Sequence, residues 1–227
     1  MQIGIDLGAT KIEYVLLDNN NKELNRDRVS TPTNYKNTIL ALAEIITKLD
    51  KGDEKFNVGI CHPGAVDKTT GLIKNAHNSQ WLNNKNIIKD LKKKVNNNIL
   101  TENDANCFCL SEAFDGSASR YKTVFGIILG SGCGGGLVIN KRIISGANGL
   151  GGEWSLNQMP NENSTNLKPD KVLNFSNRIE GYLSGKSIEK RFHDSYKTKI
   201  SAKELFALYR KKDKNAQSFI NKYKEDL

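Results

Sequence analysis

The chain has 227 residues, 37% hydrophobic and 26% charged, ordinary values for a globular protein and enough for one large or two small domains. No apolar run approaches the roughly 18 residues of a membrane span, and Met1-Gln2-Ile3-Gly4-Ile5-Asp6 passes straight into a strand pattern, so no signal peptide, no membrane partner and a cytoplasmic location are expected. The formal net charge of +9, from 34 Lys+Arg against 25 Asp+Glu, raises nucleic acid as a partner. The basic runs Lys92-Lys93-Lys94 and Arg210, Lys211, Lys212 and Lys214 lack interleaved aromatics, so they read as solvated helix surface instead.

Gln2 to Leu7 reads as a strand, Gly8-Ala9-Thr10-Lys11 as a tight turn and Ile12 to Leu17 as a second strand, with Asp18-Asn19-Asn20-Asn21 turning into a third. In the first hairpin Gly8 lets a bound group approach the backbone, Thr10 offers a hydroxyl, and Asp6 suits a hydrated Mg²⁺. A plain structural turn explains the same residues. Thr33 to Leu49 carries a helical apolar face through Ile39, Leu42, Ile45, Ile46 and Leu49. Phe56 to Cys61 is a strand that ends at His62-Pro63-Gly64, a turn whose backbone could line a sugar pocket. Asn75 to Trp81 is a polar loop around one large aromatic, suited to pack over a ligand or simply anchored by Trp81, Ile87 to Val95 a lysine-rich helix, and Asn98 to Leu100 a short strand.

That strand leads into Thr101-Glu102-Asn103-Asp104-Ala105-Asn106, followed by a helix from Ala105 to about Gly116. Strand-to-helix junctions are where open α/β sheets bind ligands, and Asp104 is a candidate general base for a substrate hydroxyl. The competing reading is a helix N-cap, since Asn and Asp both cap well. Thr123 to Leu129 is an apolar strand running into Gly130-Ser131-Gly132-Cys133-Gly134-Gly135-Gly136 and a further strand, Leu137 to Ile139. The glycines fit the dinucleotide-binding spacing, but that motif opens a helix. A glycine hairpin is the better reading, with Gly130, Ser131 and Gly132 near phosphate oxygens.

Gly146 to Gly152 approaches a second acidic candidate, Glu153-Trp154. Asn161 to Asp170 reads as loop. The chain turns helical from Asn174, with Glu180 before Tyr182. Ser201 to Glu204 is a capping box, and Ala216 to Leu227 carries Phe219, Ile220 and Tyr223 on one helical face. Cys107 and Cys109 point to different faces of their helix, Cys61 and Cys133 stand alone, and buried thiols are the default. His62 adjoins a candidate site, whereas His77 and His193 carry no ligand spacing.

Asp6-Leu7-Gly8-Ala9-Thr10-Lys11, Pro63-Gly64, Glu102 to Asn106, Gly130 to Gly136 and Gly152-Glu153-Trp154, in that order, resemble the ROK family of sugar kinases, from Met1 to about Gly185 and more weakly to the end. Lys74 to Asn83 and Ser145 to Gly149 look most like bacterial fructokinases that also take mannose, and Asn103 to Ala113 is similar to N-acetylglucosamine kinases too. The resemblance implies an actin-like, two-lobed α/β fold of the hexokinase type, with lobes at 1–116 and 117–227, closing over ATP-Mg²⁺ and a hexose. It implies that Asp104 is the general base toward the 6-hydroxyl, and that Pro63, Gly64, Asn103, Glu153 and Glu180 meet the sugar. Asp6, Gly8, Thr10, Lys11, Gly130, Ser131 and Gly132 would meet the nucleotide.

Two departures stand out. The family's structural zinc has no ligands here, since Leu156, Lys171, Leu173 and Arg178 occupy those positions and bind no zinc. Family members also continue into a further strand, glycine turn and helix, so an incomplete second lobe and an exposed apolar face on Ala216 to Leu227 are expected, completed by another chain or a homo-oligomer. The function expected is phosphorylation of fructose or mannose at the 6-hydroxyl. The alternatives are an N-acetylhexosamine kinase or a non-catalytic sugar-binding relative.

Overall fold

Alternation sets the first sheet. In β1 (Gln2–Leu7) Ile3, Ile5 and Leu7 are buried, while Gly4 and Asp6 fall on the opposite face, as a period of two requires. The computed structural model describes residues 1–52, 55–158 and 178–227. After β1 come β2 (Lys11–Leu17), β3 (Glu23–Ser30), α1 (Tyr35–Leu49), β4 (Asn57–His62), the short β5 (Ala65–Val66) and β6 (Ile73–Lys74), α2 (Ile87–Leu91) and β7 (Asn98–Asn103). Strands β1, β4 and β7 run parallel, β2 and β3 join antiparallel, and the order is β3-β2-β1-β4-β7. One face of this sheet is covered by α1 and α2 in a core that includes Ile39, Leu42, Ile46, Ile87 and Leu91. The hairpin strand β3 is exposed along its whole length.

A second layer follows with α3 (Asp104–Phe114), β8 (Thr123–Leu129), β9 (Cys133–Ile139) and β10 (Arg142–Ile143), the strands ordered β10-β9-β8. Helix α3 lies on this sheet, burying Cys109 and Ala113 against Val124 and Val138. Such close approach needs glycine beneath the helix: a Cβ at Gly136 would sit 2.8 Å from that of Cys109, and one at Gly126 3.0 Å from it. Strand β9 therefore begins at Cys133 rather than at Leu137 as the sequence suggested, because the later glycines of the run are sheet floor, not turn.

The chain closes with α4 (Ile179–Leu183), α5 (Gly185–Tyr196), α6 (Ala202–Arg210) and α7 (Lys214–Asp226). The capping box at Ser201 and Glu204 is formed in both directions. The expected exposed apolar face on 216–227 is overturned: Ala216, Phe219, Ile220 and Tyr223 are buried with Tyr182, Leu183, Ile188, Phe192 and Leu205. The earlier helices supply the surface that this face needs. The expected helix over 87–95 is also shorter, since after Leu91 the chain passes into turns, with Lys92, Lys93 and Lys94 exposed. The expected loop at 161–170, the helix onset at Asn174 and positions 171 and 173 lie outside the described residues. Among the described residues no helix is long and apolar enough to cross a membrane.

Candidate functional site

At the β7–α3 junction the helix cap and the candidate general base are different residues. Asn103 is the cap: its Oδ1 accepts from the Asn106 N–H at 3.1 Å. Its Nδ2 turns the other way and donates to the Gly64 carbonyl at 3.1 Å and to Asp104 Oδ1 at 3.0 Å. The same Asp104 oxygen accepts the Ala105 N–H at 2.9 Å. Behind them Glu102 accepts from the Asn103 N–H at 2.8 Å and from Asn106 Nδ2 at 3.1 Å. Asp104 is thus held from one side, and its second oxygen carries no bond from these donors.

Asp104 faces a cleft of about 310 Å³, within the size range of small-molecule sites. The cleft brings together nine residues singled out from sequence: Pro63, Gly64, Asn103, Asp104, Gly130, Ser131, Gly132, Glu153 and Glu180. Gly64 has φ +85°, and a Cβ there would lie 2.4 Å from the Lys74 carbonyl, so the turn admits only glycine. Glu153 is placed by its neighbours, with Trp154 Nε1 donating to the Gly134 carbonyl at 2.8 Å and Ser155 Oγ to that of Cys133 at 2.9 Å. Glu180 reaches the glycine turn so closely that a Cβ at Gly132 would be 2.5 Å from its Oε1.

The ROK family model matches residues 2–227. The chain belongs to the ROK family. It is 37% identical over 236 residues to the N-acetyl-D-glucosamine kinase of Histophilus somni (strain 129Pt), covering 99% of this chain and 76% of that protein. It is 34% identical over 242 residues to the enzyme of the same name from Haemophilus influenzae (strain 86-028NP), with the same coverages. Among solved structures, the ROK hexokinase from Thermus thermophilus superposes with a TM-score of 0.76 at 25% identity, over 96% of this chain and 72% of that one. The fold is accordingly the actin-like, hexokinase-type α/β fold that the motifs implied, in a shorter chain than these relatives.

The first hairpin of this ROK chain stands apart from the Asp104 cleft. Asp6, Gly8, Thr10 and Lys11 do not line it. Gly8 spends its N–H inside the turn on the Lys11 carbonyl at 3.0 Å, so donors for a ligand there come from its neighbours. Asp6 opens instead on a neighbouring cleft of about 750 Å³, on the sheet face opposite α1. Its charge still reaches Asp104, whose acidity it helps to weaken.

Partial desolvation against the cleft wall is the main reason the Asp104 carboxyl is held above the usual carboxylate range, although the residue itself stays exposed, with the Ala105 N–H opposing the rise and the Asp6 charge adding to it. Glu153 is raised as well, first by burial and then by the Asp104 and Glu180 charges. Such a cluster of carboxylates accepts hydrogen bonds from hydroxyls and repels free anions. Beneath it His62 is fully buried, and Nδ1 lies 3.0 Å from the Pro63 carbonyl. A carbonyl only accepts, so Nδ1 carries the proton; Nε2 is left without a protein partner. Burial drives this imidazole below its usual basicity despite the nearby Asp104 and Glu102 charges.

Asn75, His77 and Asn78, from the polar loop expected to pack over a ligand, line the cleft beside Leu156, although none of them was singled out as a site residue. His77 lacks ligand spacing, yet its charge opposes the rise at Glu153. The available signal was its place in a polar loop just after β6, close to the Pro63-Gly64 turn. Trp81 takes the anchoring role, packing against the first core.

Proposed function

We propose that this chain is an ATP-dependent N-acetylhexosamine kinase that phosphorylates the sugar 6-hydroxyl. The observation that carries the reading is the Asp104 carboxylate, fixed by Asn103 and sharing one cleft with the Gly130-Ser131-Gly132 turn, Glu153 and Glu180. The N-acetyl-D-glucosamine kinase relatives favour this substrate class over fructose or mannose, which the sequence motifs put first. In the proposed reaction Asp104 accepts the proton of the 6-hydroxyl as that oxygen attacks the γ-phosphorus, and ADP leaves. General-base help of this kind contributes about 10²–10⁴ in rate, and the remainder comes from positioning and charge neutralisation.

Asn103, Glu153 and Glu180 would take the remaining sugar hydroxyls, with Pro63 and Gly64 presenting backbone. The glycine turn suits phosphate oxygens, because a Cβ at Gly130 would meet nothing nearer than 3.9 Å and the backbone is open to close approach. Mg²⁺ carried by the nucleotide would neutralise phosphate charge, and Asp6, a hard oxygen donor on the exposed side of β1, fits a water-mediated contact to it. Sugar binding without turnover is the second reading, favoured by the first hairpin, whose Asp6, Gly8, Thr10 and Lys11 do not line the Asp104 cleft.

Coupled ADP release decides between them. N-acetylglucosamine and N-acetylmannosamine should turn over faster than fructose, mannose or glucose, and Asp104→Asn should bind the sugar without turnover. Faster turnover of fructose would overturn the substrate class. Binding with no turnover in the native chain would leave the non-catalytic reading.

A further inference from the structure

Part of the wall of the Asp104 cleft is a ridge with a spacing of three. Leu150, Glu153 and Leu156 all line the cleft, and successive hydrogen bonds set that spacing. The Glu153 N–H donates to the Leu150 carbonyl at 3.1 Å, and the Leu156 N–H to the Glu153 carbonyl at 3.4 Å. A tight turn returns residue i+3 to the side of residue i, and the single 3₁₀ turn Trp154–Leu156 is of the kind that eclipses residues three apart. The ridge is backed by β9. Gly152 has φ +92°, and a Cβ there would lie 2.7 Å from the Gly136 Cα, while Trp154 and Ser155 bond the carbonyls of Gly134 and Cys133. The Glu153 carboxylate is therefore flanked by two isobutyl groups, one of them, on Leu150, 45% exposed. Leucine makes no hydrogen bond, so a sugar that carries only hydroxyls finds no partner at these two points.

We propose that Leu150 and Leu156 form an apolar subsite for the acetyl methyl of a 2-acetamido sugar, so that these two leucines set the preference for an N-acetylated substrate. The proposal rests on the reading of the cleft as a hexose site and deepens it. With the 6-hydroxyl at Asp104 and a second donor of the sugar at Glu153, a substituent next to that donor meets a leucine. A methyl gains by leaving water there, since burial of apolar surface is favourable, whereas a hydroxyl gives up its water and gets nothing in return. Asn75 and Asn78 line the same cleft, and their amides can donate to the acetyl carbonyl. An apolar pocket tells one methyl group from none by about 10–200-fold.

Titration calorimetry on the intact native chain with N-acetylglucosamine, N-formylglucosamine and glucose tests the subsite without requiring turnover. The acetyl sugar is expected to bind about tenfold or more tightly than the formyl sugar, which lacks only the methyl. In Leu156→Ala, and in Leu150→Ala at its half-exposed position, that ratio should fall below about threefold, and N-propionylglucosamine should gain on the acetyl sugar as the vacated space takes the longer chain. Binding of the formyl sugar by the same variants reports that they are folded. An acetyl to formyl ratio that survives both substitutions would place the methyl elsewhere, and equal losses for all three sugars would mean that the leucines pack on the ring; either result overturns the subsite. Binding of the three sugars with equal affinity by the native chain would overturn the subsite alone. Binding of none of them would overturn the hexose-site reading along with it, so the two failures are distinguishable.

Discussion

Asn103 donates from Nδ2 to Asp104 Oδ1 at 3.0 Å while its Oδ1 caps the helix that Asp104 begins. One side chain therefore serves stability and orientation, and substitutions can separate them. Asn103→Ala should lose about 0.5–2 kcal/mol of stability, the usual worth of an N-cap, together with turnover. Asn103→Ser should recover the cap but not the orientation, so its denaturation midpoint returns toward wild type while kcat stays low. Full recovery of kcat in the serine variant would show that the amide does not position Asp104.

Asp104→Asn should lower kcat by about 10²–10⁴, the value of a general base, and should raise stability at neutral pH. The sign follows from the raised carboxyl: the folded chain prefers the protonated form, so the group favours folding at low pH and this is lost as pH rises through the folded value. The stability gain of the amide should therefore shrink as the pH is lowered below that value. In the native enzyme kcat/KM should fall on the acid side at a pH above the ordinary aspartate value of 3.8. Denaturant titrations and rate profiles across pH check both.

His62 acts in the opposite direction. Its folded value is lowered from 6.5, so stability is complete above 6.5 and is lost as pH falls toward the folded value, while the unfolded chain gains a proton. His62→Gln should flatten this acid limb in a series of denaturation midpoints taken downward from pH 7. An unchanged limb would mean that other groups set acid lability.

Ile220→Ala should cost about 2–5 kcal/mol, as expected for a large-to-small change in a packed core. Ile220 is buried among the terminal helices. Phe125→Ala on the exposed face of β8, where Phe125 is 46% exposed, should stay within about 0.5 kcal/mol. Equal effects in urea unfolding would contradict the burial difference.

Local chemistry was legible where it did not depend on distant partners. The first two strands, the capping box at Ser201 and Glu204, and the hairpin reading of the Gly130 run were all readable, because alternation, side-chain caps and the lack of a following helix act within a few residues. The extended state of Gly134 to Gly136 was not, since it depends on α3 packing over Gly134 and Gly136 and on Trp154 and Gly152 packing against Gly135. Nor was the cover over α7, which depends on helices far back in the chain. At the site, motif order picked out nine cleft residues, but it also drew Asp6 into the same group. Strand pairing sets Asp6 beside Cys61, facing the neighbouring cleft.

The contact between Gly132 and Glu180 has a practical corollary for engineering. The Gly185 N–H bonds the Gly130 carbonyl at 2.8 Å, so the glycine turn is tied to the helical segment that carries Glu180 as well as touching its carboxylate. Enlarging position 132 would push that carboxylate aside, so under the proposed roles a change aimed at the phosphate donor would disturb the acceptor side too. The turn and the Glu180 carboxylate are thus mechanically coupled at this residue, and on the proposed reading a library built there must be screened for both donor and acceptor.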